Sequence, residues 1–243
     1  MKTATKSATA PAAAIAAARA VFAELDPQPE RLVAGAETAE LVARISGDPE
    51  LAVAAWIAQA RAAGLPCSAA IAVARFGTAA ERLAHQLGQL GDFGLPADWT
   101  ASRGLNPQQA ETLRKMLLAI AADPRLVVAR LAAELVQLRR ARELTEAKRQ
   151  RLALEAREIY APLASRLGVW SLKWELEDLA FRQLEPHDYH RIAAALAERR
   201  VAREHYVERA CAGLQEALAG ESIAAQVYGR PKHIYSIWRK MQR

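Results

Sequence analysis

The chain has 243 residues, enough for one large or two small domains with a substantial buried core. Hydrophobic residues make up 52% of it and aromatic residues only 6%, and the alanine-rich remainder is typical of closely packed helices. This composition excludes disorder over most of the length. The sequence contains no run of 18 apolar residues, which is the length that a membrane-spanning helix needs. Cys67 and Cys211 stand far apart, which argues against a disulfide framework or a cysteine zinc site and favours a cytoplasmic protein without membrane contact.

The net charge of +6 is concentrated at the two ends of the chain. Residues 1–23 contain three basic residues and no acid, and residues 222–243 contain five basic residues and no acid. The part between them is therefore slightly negative, with both signs interspersed, and this argues against a surface that coats nucleic acid. We expect residues 1–23 to form a flexible tail.

Helical signals follow one another from residue 49 to Gly220, and about nine helices are expected. Capping residues, first-turn prolines and terminal glycines mark their ends. The segment 65–105 is richer in glycine, which favours short helices around a mobile loop. The clearest predicted helices cover approximately residues 49–63, 107–121, 124–144, 145–168 and 171–184.

The C-terminal residues differ from this helical pattern. Ile223–Tyr228 contains valine and an aromatic residue and is followed by Gly229 and Pro231, which makes it the best strand candidate in the chain. A single strand is not stable alone, so its sheet must be completed elsewhere in the protein or by sequence beyond Arg243.

Residues 229–243, GRPKHIYSIWRKMQR, predict a helix with two different faces. One face is an apolar stripe that must pack on another part of the protein, and the other is basic with one hydroxyl. The basic face follows a glycine turn at a helix start, so a polyphosphate could lie along it, with Arg230 stacking on a base. A solvated amphipathic helix would show the same spacing, and spacing alone does not decide between them. The apolar stripe consists of Ile234, Ile237, Trp238 and Met241, and the basic stripe consists of Lys232, Ser236, Lys240 and Arg243.

Three segments together closely resemble the RelA/SpoT family, which makes and degrades (p)ppGpp. They are VYGRPKHIYSIWRKM, YAPLASRLGVWSLKWELEDLAFRQLEP at residues 160–186 and ERRVAREHYVE at residues 198–208. The resemblance implies that GRPKHIYSIWRKM begins the synthetase domain and binds ATP. It further implies that Arg230 contacts the adenine and that the phosphates are contacted by Lys232, Ser236 and Lys240.

Further upstream the resemblance is weaker and points to the family's HD-type hydrolase, whose manganese is held by histidine and aspartate. Such a site needs imidazoles and carboxylates around one cation. The resemblance implies that other residues stand here in place of the family's metal ligands and neighbouring acidic residues. They are Ala34, Ala58, Gln59, Ala62, Ala63 and Ala133, and Gln137 stands in place of a substrate-contacting asparagine. We therefore expect neither a metal site nor catalytic residues in this part, and no Mn²⁺.

Other chemically capable residues have simpler interpretations. His85 is the single histidine of residues 1–186, and we interpret it as a surface residue. The acidic group Glu175, Glu177 and Asp178 is interpreted as a solvated helix face, and His187 and His190 as residues of a helix start. We interpret Trp170 and Trp174, four residues apart, as a packing pair.

The expected fold is mainly α. It begins with a helical bundle like an HD-type hydrolase domain, which is followed by connecting helices. The first strand and helix of an α/β nucleotidyltransferase-like synthetase domain come last. The expected domains are a tail at 1–23, a degenerate hydrolase domain at 24–155, a connecting bundle at 156–198 and the start of the synthetase at 199–243.

The leading hypothesis is the N-terminal region of a RelA-like ATP:GTP 3′-pyrophosphotransferase whose substrates are ATP and GDP or GTP. The resemblance places the Mg²⁺ ligand, the catalytic glutamate and the guanine-stacking tyrosine beyond Arg243, together with the domains that bind the ribosome and tRNA. The 243-residue chain is therefore not expected to synthesise product. Two alternatives stay open: a non-enzymatic regulatory module, and an active manganese-dependent (p)ppGpp hydrolase.

Overall fold

A computed structural model describes residues 9–26, 28–91, 123–197, 200–229 and 231–242 of the chain. These residues are mostly helical, as the sequence predicts, and the chain divides into two compact units, Met1–Ala180 and Phe181–Arg243. None of the described helices is long and apolar enough to cross a membrane.

Helices account for nearly all of the described first unit, and the last of them continues into the second unit. Short helices occur within the segment 65–105, as expected, whereas the helix predicted for residues 107–121 lies outside the described residues. The elements are α1 (Thr9–Leu25), α2 (Pro29–Ser46), α3 (Pro49–Ala62), α4 (Ala69–Phe76), α5 (Thr78–Gly91), α6 (Pro124–Arg139), a 3-10 turn (Ala141–Glu143), α7 (Glu146–Glu155), a π-helical turn (Ala156–Tyr160), α8 (Ala161–Arg166) and α9 (Trp170–Leu184).

The second unit contains three further helices in the residues that the structure describes. They are α10 (Pro186–Ala197), α11 (Arg200–Gly220) and α12 (Ile234–Met241).

Two aspartate–proline pairs begin helices α3 and α6. The Asp48 carboxylate accepts hydrogen bonds from the backbone N–H groups of Glu50 and Leu51, at 3.0 and 3.1 Å. Asp123 accepts one from the backbone N–H of Arg125 at 3.0 Å. The Arg125 guanidinium also contacts both carboxylates, each at 2.6 Å, and it holds the pKa of the Asp123 carboxyl below its usual range. One arginine therefore ties together the starts of two helices.

Helix α3 forms the centre of the first unit. Every residue from Leu51 to Ile57 is buried, and α3 packs against α1, α2, α5 and α6. The largest side chain, Trp56, is 1% exposed and stacks on Phe22 of α1 with ring centroids 5.0 Å apart. A helix buried on all sides explains its almost continuous apolar sequence.

The expectation of a flexible tail at residues 1–23 is wrong for residues 9–23, because they belong to helix α1. Pro11, Ile15, Ala18 and Phe22 are buried at the helical spacing i, i+4, i+7 and i+11. Alanine has the highest helix propensity, and this narrow stripe is enough to hold the helix on α2 and α3.

The strand predicted for Ile223–Tyr228 is not confirmed, because residues 223–229 have no regular secondary structure and the described residues contain no strand. A strand needs a neighbour that accepts and donates its backbone hydrogen bonds. The side chain of Gln215 on α11 supplies two such bonds instead.

A π-helical turn at Ala156–Tyr160 interrupts the helical run that the sequence predicts for residues 145–168. It ends two residues before Pro162, which lies in the first turn of α8, and a proline lacks the N–H that a regular α-helix would use there. The turn contains the buried Tyr160, whose hydroxyl reaches Arg130 on α6.

Candidate functional site

A cavity of about 260 Å³ lies between α2, α3 and the end of α6 in the first unit. It brings together Ala34 of α2, Gln59, Ala62 and Ala63 around the end of α3, and Gln137 of α6. These are five of the seven positions where, by the resemblance, an HD-type hydrolase has polar residues and this chain has others. The other two, Ala58 and Ala133, lie on the same helices, half-buried and buried respectively, and do not line the cavity.

The residues around this cavity do not fit a divalent cation. Alanine offers no ligand atom, and the side chains of Gln59 and Gln137 are neutral amides, whereas such sites use imidazole and carboxylate ligands. Glu143 supplies a carboxylate to the lining, but it is exposed and paired with Arg140 at 2.9 Å. In the described part of the chain, no group of three or more histidine, cysteine, aspartate or glutamate side chains could hold a metal.

Arg31 closes one side of the cavity and is held by two contacts. Its guanidinium donates to the Asp26 carboxylate at 2.7 Å and to the backbone oxygen of Ala63 at 2.8 Å. The second contact fastens α2 to the residue that follows α3. Arg31 therefore stabilises the shape of the cavity through contacts with the protein itself.

A buried ionisable group on α6 was not anticipated from the sequence. Glu134 is 1% exposed, and its Oε2 atom lies 3.2 Å from the Arg130 guanidinium, whereas its Oε1 atom has no hydrogen-bond partner. The guanidinium also donates to the Tyr160 hydroxyl at 2.9 Å and lies 5.4 Å from the centre of that ring. Burial raises the pKa of Glu134 to about 7, while Arg130 opposes the rise and the negative charge of Glu155 adds to it. The available signal was an arginine and a glutamate four residues apart on an otherwise apolar helix.

The C-terminal helix α12 has the two faces that the sequence predicts. On the apolar side, Trp238 lies 4.8 Å from the ring of Phe181 and 5.7 Å from that of Tyr235, measured between ring centroids. Its indole N–H donates to Asp188 of α10 at 3.1 Å. The salt bridge from Arg191, and after it the hydrogen bond from Trp238, lower the pKa of the Asp188 carboxyl. Met241 of the same stripe is 58% exposed.

On the other side, Lys232 and Lys240 are exposed and Ser236 is half-buried. The ammonium group of Lys240 lies close to that of Lys232 and lowers the pKa of Lys232. The structure therefore brings Lys232, which precedes α12, close to Lys240 in its last turn, and Ser236 lies on α12 between them in sequence. Arg230 and Arg243 lie outside the described residues.

The remaining candidates are engaged in ordinary contacts. Exposed His85 on α5 lies 3.3 Å from the side chain of Gln89. The acidic residues Glu175 and Glu177 pair with Arg139 and Lys173, at 2.6 and 2.8 Å respectively. The ring centroids of Trp170 and Trp174 are 6.2 Å apart. His187 and His190 are exposed on the first turns of α10, and both cysteines are free.

Known proteins resemble a large part of this chain. The family model described as "HD domain" matches residues 12–170. The GTP pyrophosphokinase of Escherichia coli strain K12 is 46% identical over 144 residues, which are 59% of this chain and 19% of that protein. The Haemophilus influenzae GTP pyrophosphokinase is 44% identical over 59% of this chain and 19% of that protein. The Streptomyces coelicolor GTP pyrophosphokinase is 48% identical over 55% of this chain and 16% of that protein.

The chain thus spans about a fifth of the length of the curated relatives that it matches. The family match covers more than half of the chain, and the relatives carry the name of the activity that the RelA/SpoT resemblance implies. The chain therefore belongs to the HD domain family and is related to the GTP pyrophosphokinases of the RelA/SpoT group.

Proposed function

We propose that this chain is the N-terminal region of a cytoplasmic RelA-like (p)ppGpp synthetase, with ATP and GDP or GTP as the substrates of the whole enzyme. In this proposal residues 24–155 are a degenerate hydrolase domain, residues 156–198 form a connecting helical bundle, and residues 199–243 begin the synthetase domain. The observation that carries it is the closeness of Lys232, two residues before α12, to Lys240 in the last turn of that helix, in a chain whose relatives are named GTP pyrophosphokinase. The two free cysteines support a reducing compartment.

The lysine pair supports binding of the ATP phosphates. Two ammonium groups held together repel each other, and the lowered pKa of Lys232 reflects this cost. A phosphate between them would replace the repulsion with two charge-assisted hydrogen bonds.

In this proposal the chain supplies ATP binding, and the transfer of pyrophosphate is an activity of the whole enzyme. The RelA/SpoT resemblance assigns the Mg²⁺ ligand, the catalytic glutamate and the guanine-stacking tyrosine to sequence beyond residue 243. Ribosome and tRNA contacts belong to further domains of the whole protein.

Titration calorimetry of ATP into the 243-residue chain tests the proposal. We predict saturable binding that weakens about tenfold in each of Lys232→Ala and Lys240→Ala, because each loses a charge-assisted contact. Arg230→Ala weakens binding as well, through lost stacking on the base. The matched control is Arg209→Ala, which removes an exposed positive charge from α11 of the same unit and leaves affinity unchanged. Absence of saturable binding, or equal affinities in all four variants, would refute ATP binding by this element.

A second function, non-enzymatic regulation, is favoured for the first unit by its cavity. The helices keep a cavity at the hydrolase-like positions although its lining offers no metal-ligand set. We propose that this unit is a packed regulatory domain that no longer hydrolyses (p)ppGpp. Active manganese-dependent hydrolysis has no supporting observation among the described residues.

A further inference from the structure

One face of helix α11 carries the segment 223–229, which directly precedes Arg230 in the sequence. Val207, Cys211 and Gln215 recur at every fourth residue on this face. The Gln215 side-chain N–H donates to the backbone oxygen of Ala225 at 2.6 Å, and the backbone N–H of Val227 donates to Gln215 Oε1 at 3.2 Å.

Gly229 continues the contact along the same face. A Cβ atom placed on Gly229 would lie 2.5 Å from Cys211 Sγ and 2.5 Å from Val207 Cγ1, too close for any side chain to fit without a shift. The backbone of the segment therefore rests directly on α11, from Ala225 near Gln215 to Gly229 near Cys211.

The Gln215 amide acts on this segment as one residue of a neighbouring strand would. In a parallel sheet, one residue binds the C=O and the N–H groups that lie two residues apart on the facing strand, as Gln215 does with Ala225 and Val227. Ala225 and Val227 are half-buried, whereas Gln226 and Tyr228 are exposed, which is the alternation of a strand. A side-chain amide can replace a peptide group here because both carry one carbonyl acceptor and N–H donors.

The segment connects two anchored parts of the second unit. On its N-terminal side is the contact with α11, and on its C-terminal side α12 is held by Trp238 against Phe181 and Asp188. Lys232 lies between these anchors, three residues after Gly229. We propose that Gln215 is a positioning residue for ATP binding: it fixes the segment 225–229 on α11 and so sets where the chain delivers Lys232 to Lys240. This inference rests on the proposed function.

Three variants of the 243-residue chain separate hydrogen bonding from packing. Gln215→Met keeps the length and bulk of the side chain but loses both hydrogen bonds. Gln215→Glu can still accept from the Val227 N–H but cannot donate to the Ala225 oxygen, and its negative charge faces that oxygen. The matched control is Gln226→Met, an exposed glutamine in the same segment that makes neither contact.

Hydrogen exchange and ATP affinity are measured together. We expect the Val227 amide to exchange at least about tenfold faster in Gln215→Met, with a smaller change in Gln215→Glu and none in Gln226→Met. The amides of α10 report whether the unit stays folded. If Gln215→Met also loses protection in α10, the unit is unfolding, and the Val227 exchange and ATP affinity of Gln215→Glu then test the proposal.

The affinity for ATP should fall about fivefold to tenfold in Gln215→Met, since the lysines are no longer presented in one position. By linkage, saturating ATP should restore protection at Val227 in this variant, an effect that a purely structural role would not produce. Unchanged Val227 exchange, or faster exchange with unchanged ATP affinity, would overturn this inference alone. A wild-type chain that binds no ATP would contradict the proposed function instead.

Discussion

Glu134 is a carboxylic acid enclosed by the first unit, with one oxygen near Arg130 and the other without a hydrogen bond. Ionising it there requires removing a charge from water with incomplete compensation, and burial raises its pKa from 4.5 to about 7. Arg130 also contacts Tyr160, and Glu155 adds a second negative charge nearby. A buried arginine–glutamate pair of this kind contributes less to stability than its short distance suggests.

The pH dependence of unfolding follows from the sign of this shift. Between pH 4.5 and about 7 the folded state holds a proton on Glu134 that the unfolded state has released, so the group's contribution to stability is lost as pH rises. We predict that Glu134→Gln, which stays neutral, reduces this loss by about 3 kcal/mol between pH 5 and pH 8. Urea unfolding followed by circular dichroism measures it.

The control for this experiment is Glu40→Gln, an exposed carboxylate paired with Arg19, which should keep the wild-type pH dependence. Equal pH slopes in the wild type and Glu134→Gln would show that Glu134 is ionised throughout, against the present account.

At the scale of elements, the close crossing of α2 and α3 depends on Gly35. A Cβ atom there would lie 2.4 Å from Cδ1 and 2.6 Å from Nε1 of Trp56. Trp56 cannot move easily, because it is buried and stacked on Phe22. Since Gly35 also lines the cavity, this crossing determines the shape of the cavity as well as the packing of the core.

Two glycine substitutions test this crossing. Gly35→Ala should lower the free energy of unfolding by about 1–3 kcal/mol through overpacking. Gly88→Ala, in helix α5 with nothing within 4 Å of the added Cβ, should raise it by about 0.5–1 kcal/mol through helix propensity. Chemical denaturation of both variants gives the comparison. A Gly35→Ala protein as stable as Gly88→Ala would mean that the helices separate without cost.

Capping residues and helical spacing in the sequence predict the helices whose ends depend on one or two residues. The predicted helix starts near residues 49 and 124 are confirmed, and the stripe that contains Trp238 packs as expected. The packed helix α1 was missed because its few larger side chains are hidden among alanines, and the strand at Ile223–Tyr228 was predicted without knowledge of its neighbours. Periodicity does not reveal tertiary contacts such as those of Gln215, because its side chain bonds to the backbone of residues ten and twelve positions away.

For the candidate site, sequence reasoning placed the important positions but not their surroundings. Ala34, Gln59 and Gln137 were identified by resemblance, and the structure brings them to one cavity. Lys232 and Lys240 were placed on one face by helical spacing, and the structure brings their ammonium groups together. Burial of Glu134 could not be predicted, since an arginine–glutamate pair at this spacing is more common on exposed helix faces.

At the scale of the whole molecule, the two units offer different chemistry. The first is a helical unit of the HD domain family whose cavity lacks a metal-ligand set among the described residues. The second presents two neighbouring lysines, one before and one on a short amphipathic helix that is held by aromatic contacts. In the proposed account, nucleotide binding belongs to the second unit and the first has only a structural and regulatory role.

Electron paramagnetic resonance of Mn²⁺ titrated into the nucleotide-free chain tests this account most directly. We predict that the wild type leaves the free Mn²⁺ signal undiminished at micromolar concentrations. One tightly bound Mn²⁺ in the wild type, lost when a residue lining the cavity is replaced, would contradict the account.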